Sequence, residues 1–179
     1  MSTPQKPKPA RLVIGMFMKD KDLFEPIVEQ LIEKYGNIDM ISKWFDFDFT
    51  DYYKPEMGGP LFRRMVTFQK LIDQTELVNV KLFTNDIEKK HSIKSQRCIN
   101  IDPGYLVSER FILATGKNFT HRIYLDKGIY ADLTLIYQKG NFQTLPWTYP
   151  DYAHKNMLCF LDKVRKKYHI ALKSIYCLK

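Results

Sequence analysis

Long apolar runs are missing from these 179 residues. No stretch approaches the roughly 18 apolar residues that a membrane helix needs, and the opening MSTPQKPKPA has no apolar core of a secretory signal. A cytoplasmic protein without a membrane partner is expected. Cysteine is scarce: Cys98, Cys159 and Cys177 are neither even in number nor paired in spacing. That argues against a disulfide framework or a zinc knuckle and predicts buried or idle thiols. A phosphate-binding glycine loop, a nucleophile elbow and metal-ligand spacing are also lacking.

What is present is the composition of a soluble globular chain, 45% hydrophobic, 27% charged and 14% aromatic. It is long enough for one well-cored domain. Three prolines and no periodicity mark residues 1–10 as a disordered arm, leaving 11–179 as a single globular domain. The net charge of +8 is one that nucleic-acid-binding domains often show. Much of it lies in Lys6, Lys8 and Arg11 and in residues 162–167 (DKVRKK), read as the solvated face of a terminal helix.

Residues 11–18 (RLVIGMFM) are almost continuously apolar, which predicts a central strand. Asp22 and Glu25 have capping-box spacing, and Ile27, Val28, Leu31, Ile32 and Tyr35 form one helical face ended by Gly36. A strand over about 38–45 follows. Residues 46–61 (DFDFTDYYKPEMGGPL) have no helical period and are expected to form a long loop that is functional or folded onto its own domain. Asp46, Asp48 and Asp51 raise the question of a cation, but the interleaved Phe47, Phe49 and Tyr52 do not fit a calcium loop. A bound metal is therefore left open. The loop could instead lay Tyr52 and Tyr53 over a ring, with Glu56 as a general-base carboxylate. Its aromatics could equally plug the core.

Residues 63–68 read as a strand with Arg63 and Arg64 on opposite faces. A helix follows, with Leu77, Val80, Phe83, Thr84 and Ile87 buried, and Lys81, Asn85 and Glu88 forming a polar stripe beside that side. The stripe matters only where it meets the sheet. Residues 97–137 then gather Asn100, Asp102, Lys117, His121, Arg122, Tyr124, Tyr130 and Asp132 among strand-like runs. Alternation puts Ile99 and Ile101 on one face and Asn100 and Asp102 on the other, and Asp102-Pro103-Gly104 is expected to end that strand. A three-residue hairpin loop at 126–128 pairs Leu125 with Ile129, Tyr124 with Tyr130, Ile123 with Ala131 and Arg122 with Asp132. A second turn falls at 138–141, a short strand at 142–145, a rigid aromatic loop at 146–152 and a last helix from 156 to about 171.

The phrases FDFTDYYKPEMGGPL, KLFTNDIE, INIDPGYL, FILATGKNFTHRIYL, GIYADLTLIY and LPWTYPDY resemble, in the same order, those of the bacterial family of unknown function DUF4416. The resemblance spans residues 11–152. One departure is Asp132, where the family pattern implies Glu, and the carboxylate is kept. Some members carry the label GTP-binding protein. The missing G-x-x-x-x-G-K-[ST] loop argues against a P-loop GTPase, because Gly116-Lys117 lacks the upstream glycine and the following hydroxyl.

The order of elements predicts an α+β fold: a ferredoxin-like (split βαβ) order followed by a β-hairpin extension and a C-terminal helix. Three functions fit: a binder or enzyme for a small phosphorylated or nucleotide-like ligand, an RNA-binding module, or a non-catalytic structural or adaptor protein. For the first, Glu56, Asp102, His121 and Asp132 are the catalytic candidates. Asp51, Tyr52, Tyr53, Lys81, Asn85, Asn100, Lys117, Arg122 and Tyr130 are the candidate ligand contacts, while any cofactor is undetermined. Asp51, Glu56, Asp102, His121, Arg122 and Asp132 are expected to converge on one concave site.

Overall fold

The computed structural model describes residues 1–94 and 96–177, the side chain of Cys177 lying outside that description. In chain order the elements are β1 (Ala10–Met18), α1 (Phe24–Tyr35), β2 (Ile38–Ile41), β3 (Phe45–Asp46), α2 (Lys54–Met57), β4 (Phe62–Ile72) and α3 (Leu77–Lys90). They continue with β5 (Ser92–Ile93), β6 (Gln96–Arg97), β7 (Ile99–Leu106), β8 (Arg110–Thr115), β9 (Arg122–Asp126), β10 (Ile129–Gln138), β11 (Asn141–Thr144), α4 (Pro150–Ala153) and α5 (Lys155–Cys177). Nine strands form one sheet in the order β11-β10-β8-β7-β1-β4-β2, with β3 on β4 and β9 on β10. The result is a mixed α+β protein built on a large antiparallel sheet.

The apolar run 11–18 lies inside this sheet because both its edges and both its faces are covered. β4 and β7 pair with β1, and every position from Ala10 to Met18 is buried. Leu12, Ile14, Met16 and Met18 pack with Phe24, Ile27 and Leu31 of α1 and with Val80 and Ile87 of α3. Each such side chain contributes about 1.5–3 kcal/mol on burial. On the other face Val13 and Met65 join the core under α5, with Leu161, Val164 and Tyr168, while Phe17 meets Phe47, Met57 and Leu61 of the 46–61 segment. That segment is folded onto its own domain, and it contains the short helix α2 that its sequence did not show.

Several local expectations are corrected. Asp102-Pro103-Gly104 does not end β7, which runs through to Leu106 in unbroken register with β1. Ile101 bonds away from β1, its N–H to Glu88 and its C=O to Lys81. Pro103, two residues on, faces the same way, so its missing N–H removes no bond to β1. Gly104 is needed where β8 approaches, because a Cβ there would collide with the Ile112 carbonyl oxygen. Asp22 does not cap α1: Asp20, accepting from the Asp22 N–H, caps a 3-10 turn over Lys21–Leu23 that leads into the helix, and the helix's own N-cap is Leu23, with no side-chain bond. The 38–45 strand is split into β2 and β3. The β9–β10 hairpin has the expected pairs from Arg122↔Asp132 to Tyr124↔Tyr130. Its loop has two residues in place of the three that Leu125–Ile129 pairing implies: Asp126 pairs Ile129, Lys127 and Gly128 carry φ of 50° and 76°, and a bulge restores register.

The charge at the two ends is partly internal. Arg11 is buried and donates to the carbonyls of Phe68 and Gln69. Arg165 donates to the Ser108 carbonyl and lies over the Tyr137 ring at 3.4 Å, and Lys167 pairs with Asp39 at 2.6 Å. Pro9, inside the arm expected to be disordered, accepts from the Tyr168 hydroxyl at 2.8 Å. Of the thiols, Cys98 is half-buried and Cys159 exposed.

Candidate functional site

Strand register decides which groups share a face. Phe17 stands opposite Asn100 on one side and Arg63 on the other, and Gly15 stands opposite Asp102 and Met65. Val13 is opposite Gly104, which is opposite Leu113, which is opposite Asp132, which is opposite Arg122. Arg63, Asn100, Asp102, Asp132 and Arg122 therefore lie on one face, under α4 and the 46–61 segment. Arg64 points to the helical face, over Phe24 and Trp44, as strand alternation requires.

Arg63 is the centre of the first cluster. Its side chain is 3% exposed and bonds Asp102 through Nη2 at 2.6 Å and Asp151 through Nη1. Its guanidinium also lies 4.9–5.1 Å from the ring centroids of Phe17, Phe47 and Tyr152. Asp102 accepts from the Asn100 amide at 2.8 Å, Asn100 from Arg97 at 2.9 Å, and Arg97 holds Glu56 through Nε and Nη2 at 2.8 and 2.7 Å. That fork holds the Glu56 carboxyl below the usual carboxylate range. Burial pushes the Glu88 carboxyl up, against the pull of Lys81, and Glu88 lies 4.0 Å from Arg97. Burial, with Asp102 next, raises Tyr53 to about 12.

The second cluster is built around Asp132, 1% exposed. Its Oδ2 accepts from Arg122 Nε at 2.9 Å and meets His121 Nε2 at 3.1 Å, while Oδ1 accepts from Thr134 at 3.3 Å. His121 is stacked on Trp147 at 4.8 Å, and the Trp147 indole N–H is tied to the Leu133 carbonyl. Arg122 also donates to the Lys117 carbonyl and to the Tyr149 hydroxyl. Burial raises the Tyr149 pKa, Arg122 opposes it, and both Asp132 and Asp102 add to the rise, so this phenol lies within electrostatic reach of both clusters. Lys117 reaches the 46–61 segment, its Nζ 3.1 Å from the Tyr52 hydroxyl and 4.9 Å from that ring's centroid.

The expected site residues thus fall into groups. Glu56, Asn100 and Asp102 join the Arg63 cluster, His121, Arg122 and Asp132 form their own, and Lys117 with Tyr52 connects that one to the loop. Tyr53 packs on Phe17 at 4.7 Å and on Tyr52 at 4.9 Å. Tyr130 stacks edge-on with Tyr124 at 5.4 Å. Asp51 is 83% exposed and pairs with Lys54, away from the carboxylates it was expected to meet. Lys81 is buried at the β7 edge, and Asn85 lies on the same helical stripe between Lys81 and Glu88, so this stripe holds a strand edge in place of a neighbouring strand. Asp46 and Asp48 line a cavity of about 300 Å³ with Phe49 and His154, and Arg63 and Asp151 of the first cluster form part of its wall. No group of three or more His, Cys, Asp or Glu able to hold a metal ion occurs among the described residues.

Sequence reasoning missed Arg63, Arg97, Tyr149, Trp147, Asp151 and Tyr152. For Arg63 a signal existed: a charge at an inward-alternating position of an apolar strand demands a buried partner.

Taken together, fold and site define a mixed α+β protein whose sheet carries two charge-compensated clusters on one face. No helix among the described residues is long and apolar enough to cross a membrane. The chain belongs to the family described as Domain of unknown function (DUF4416), whose profile matches residues 8–168. No curated protein and no solved structure shows a significant match.

Proposed function

We propose that this protein binds a small phosphorylated or nucleotide-like ligand on the face formed by residues 46–61 and 97–137, with His121 as its proton acceptor. The observation that carries this reading is the His121–Asp132 pair. In the tautomer that carries its proton on Nε2, the imidazole donates to Asp132 and presents the Nδ1 lone pair to a substrate proton, while Arg122 holds the same carboxylate from its other side. Beside it, Lys117 and Tyr52 are exposed, and no carboxylate pairs with Lys117 among the described residues. A cation next to a ring suits a phosphate attached to a base. The order β7-β1-β4-β2, with α1 and α3 against one face, supports a ferredoxin-like split βαβ reading of the first half, extended by the later hairpins.

Native mass spectrometry of the purified full chain, followed by calorimetric titration with nucleoside phosphates, tests the proposal. Lys117→Ala should weaken binding about tenfold or more, the scale of one charge-assisted hydrogen bond, and leave the melting temperature unchanged. Failure to find a phosphorylated compound by either method refutes it.

A further inference from the structure

The 46–61 segment carries four acidic residues. Two are already paired, Asp51 with Lys54 and Glu56 with Arg97. Asp46 and Asp48 have no cationic partner among the described residues, although the chain holds 28 Lys and Arg against 20 Asp and Glu. Both are exposed, and both open onto the cavity of about 300 Å³ between this segment and the start of α5. Its volume is at the small end of ligand pockets, which run to about 300–1,000 Å³.

The rest of the wall decides what such a hollow selects. Arg63 is bound by both Asp151 and Asp102, so the charge around the cavity stays negative and disfavours an anion. The Arg63 side chain is nevertheless 3% exposed with an Nε–H that has no acceptor among the described residues, and an unpaired donor buried in a cavity wall calls for an acceptor atom. Phe49 is 37% exposed, and no cation of the chain lies over its ring among the described residues. Trp44, by contrast, already has Lys21 and Arg64 over it. A hard metal ion takes about six or more oxygen ligands, which two carboxylates among aromatic rings do not supply. An organic cation gains from the carboxylates and the free ring together.

We propose that this cavity binds an organic cation of the guanidinium class, its N–H groups shared by Asp46 and Asp48, its plane against Phe49, and a neutral oxygen on its stem accepting from Arg63. The same chemistry is offered by a free arginine derivative and by an arginine side chain of a peptide. The proposal does not depend on the ligand read for Lys117 and Tyr52.

Calorimetric titration of the full chain tests this with three probes: argininamide with its free ammonium, arginine blocked at both ends, and blocked citrulline, the neutral isostere. At least one arginine probe should bind with a Kd below about 1 mM, and citrulline about tenfold or more weaker. Asp46→Asn and Asp48→Asn should each weaken binding about tenfold or more, the scale of one charge-assisted hydrogen bond, with the melting curve unchanged because both side chains are exposed. Tighter binding of blocked arginine supports the site with a peptide side chain as its occupant, and tighter binding of argininamide supports it with a free amine. Absence of binding by both arginine probes overturns the proposal, as does citrulline binding equally well or binding that survives both substitutions.

Discussion

Replacing Arg63 is the most informative perturbation of this fold. Its guanidinium is enclosed by three aromatic rings and is the shared partner of Asp102 and Asp151, on β7 and α4. Arg63→Met keeps much of the apolar stem and removes only the charge, so it leaves two carboxylates without their cation. Breaking a buried pair from one side costs about 3–5 kcal/mol. Against a typical total of about 5–15 kcal/mol that is a large fraction, and for a chain of this size it lowers the melting temperature by about 6–20 °C. The triple variant Arg63→Met, Asp102→Asn, Asp151→Asn removes the stranded charges as well, and should recover at least half of the loss. Urea denaturation followed by circular dichroism, fitted to two states, measures both. A single variant that costs less than about 1 kcal/mol, the range of exposed pairs, would show that Arg63 is solvated and refute the reasoning.

Gly104→Ala should destabilise more than Gly15→Ala in thermal melts: the first Cβ meets the Ile112 backbone, the second lies 3.0 Å from the Met65 sulfur and the Tyr152 hydroxyl, and overpacking against flexible groups costs about 1–3 kcal/mol. Because Arg97 depresses the Glu56 pKa, this carboxylate contributes stability that is present above the ordinary carboxylate range and is lost as pH falls through its folded value. Glu56→Gln should therefore flatten the acid side of the stability–pH curve, by less than about 1 kcal/mol since both side chains are about a third exposed. Deleting residues 1–8 should leave the melting temperature within a few degrees, whereas removing Pro9 as well takes away the acceptor of the Tyr168 hydroxyl and should lower it further.

Period-two alternation was the most legible signal. It located β1, separated Arg63 from Arg64, and paired Arg122 with Asp132 across a hairpin, because a slip by one residue would bury the wrong face. Helical periodicity found α1 and the buried side of α3. The turn chemistry at Pro103-Gly104 misled, since the rule describes isolated peptides and cannot see that β8 arrives at Gly104 while Pro103 faces away from β1. The candidate site was legible only within the hairpin. Partners such as Arg63 with Asp151, 88 residues apart, or Glu56 with Arg97, 41 apart, are set by how the layers stack, which spacing along the chain does not encode. Net charge misled for the same reason: Arg11 counts as a surface cation in the sum, yet it is part of the interior.

The pairing of β7 with β8 is confined to Gly104–Leu106 opposite Phe111–Leu113. Beyond Gly104 the two strands part, and α3 steps in through Lys81 and Glu88 to hold the bare lip of β7. Within the sheet the two leaves are thus joined by three residue pairs, while the core under α5, which runs from Val13 and Met65 to Leu135 and Phe142, ties them together from one face. Asp102 and Arg63 ride on one leaf, Asp132 and His121 on the other. Each cluster closes its hydrogen bonds on its own side of that junction, and the Tyr149 phenol, bonded to Arg122 and within reach of the charge on Asp102, stands between them.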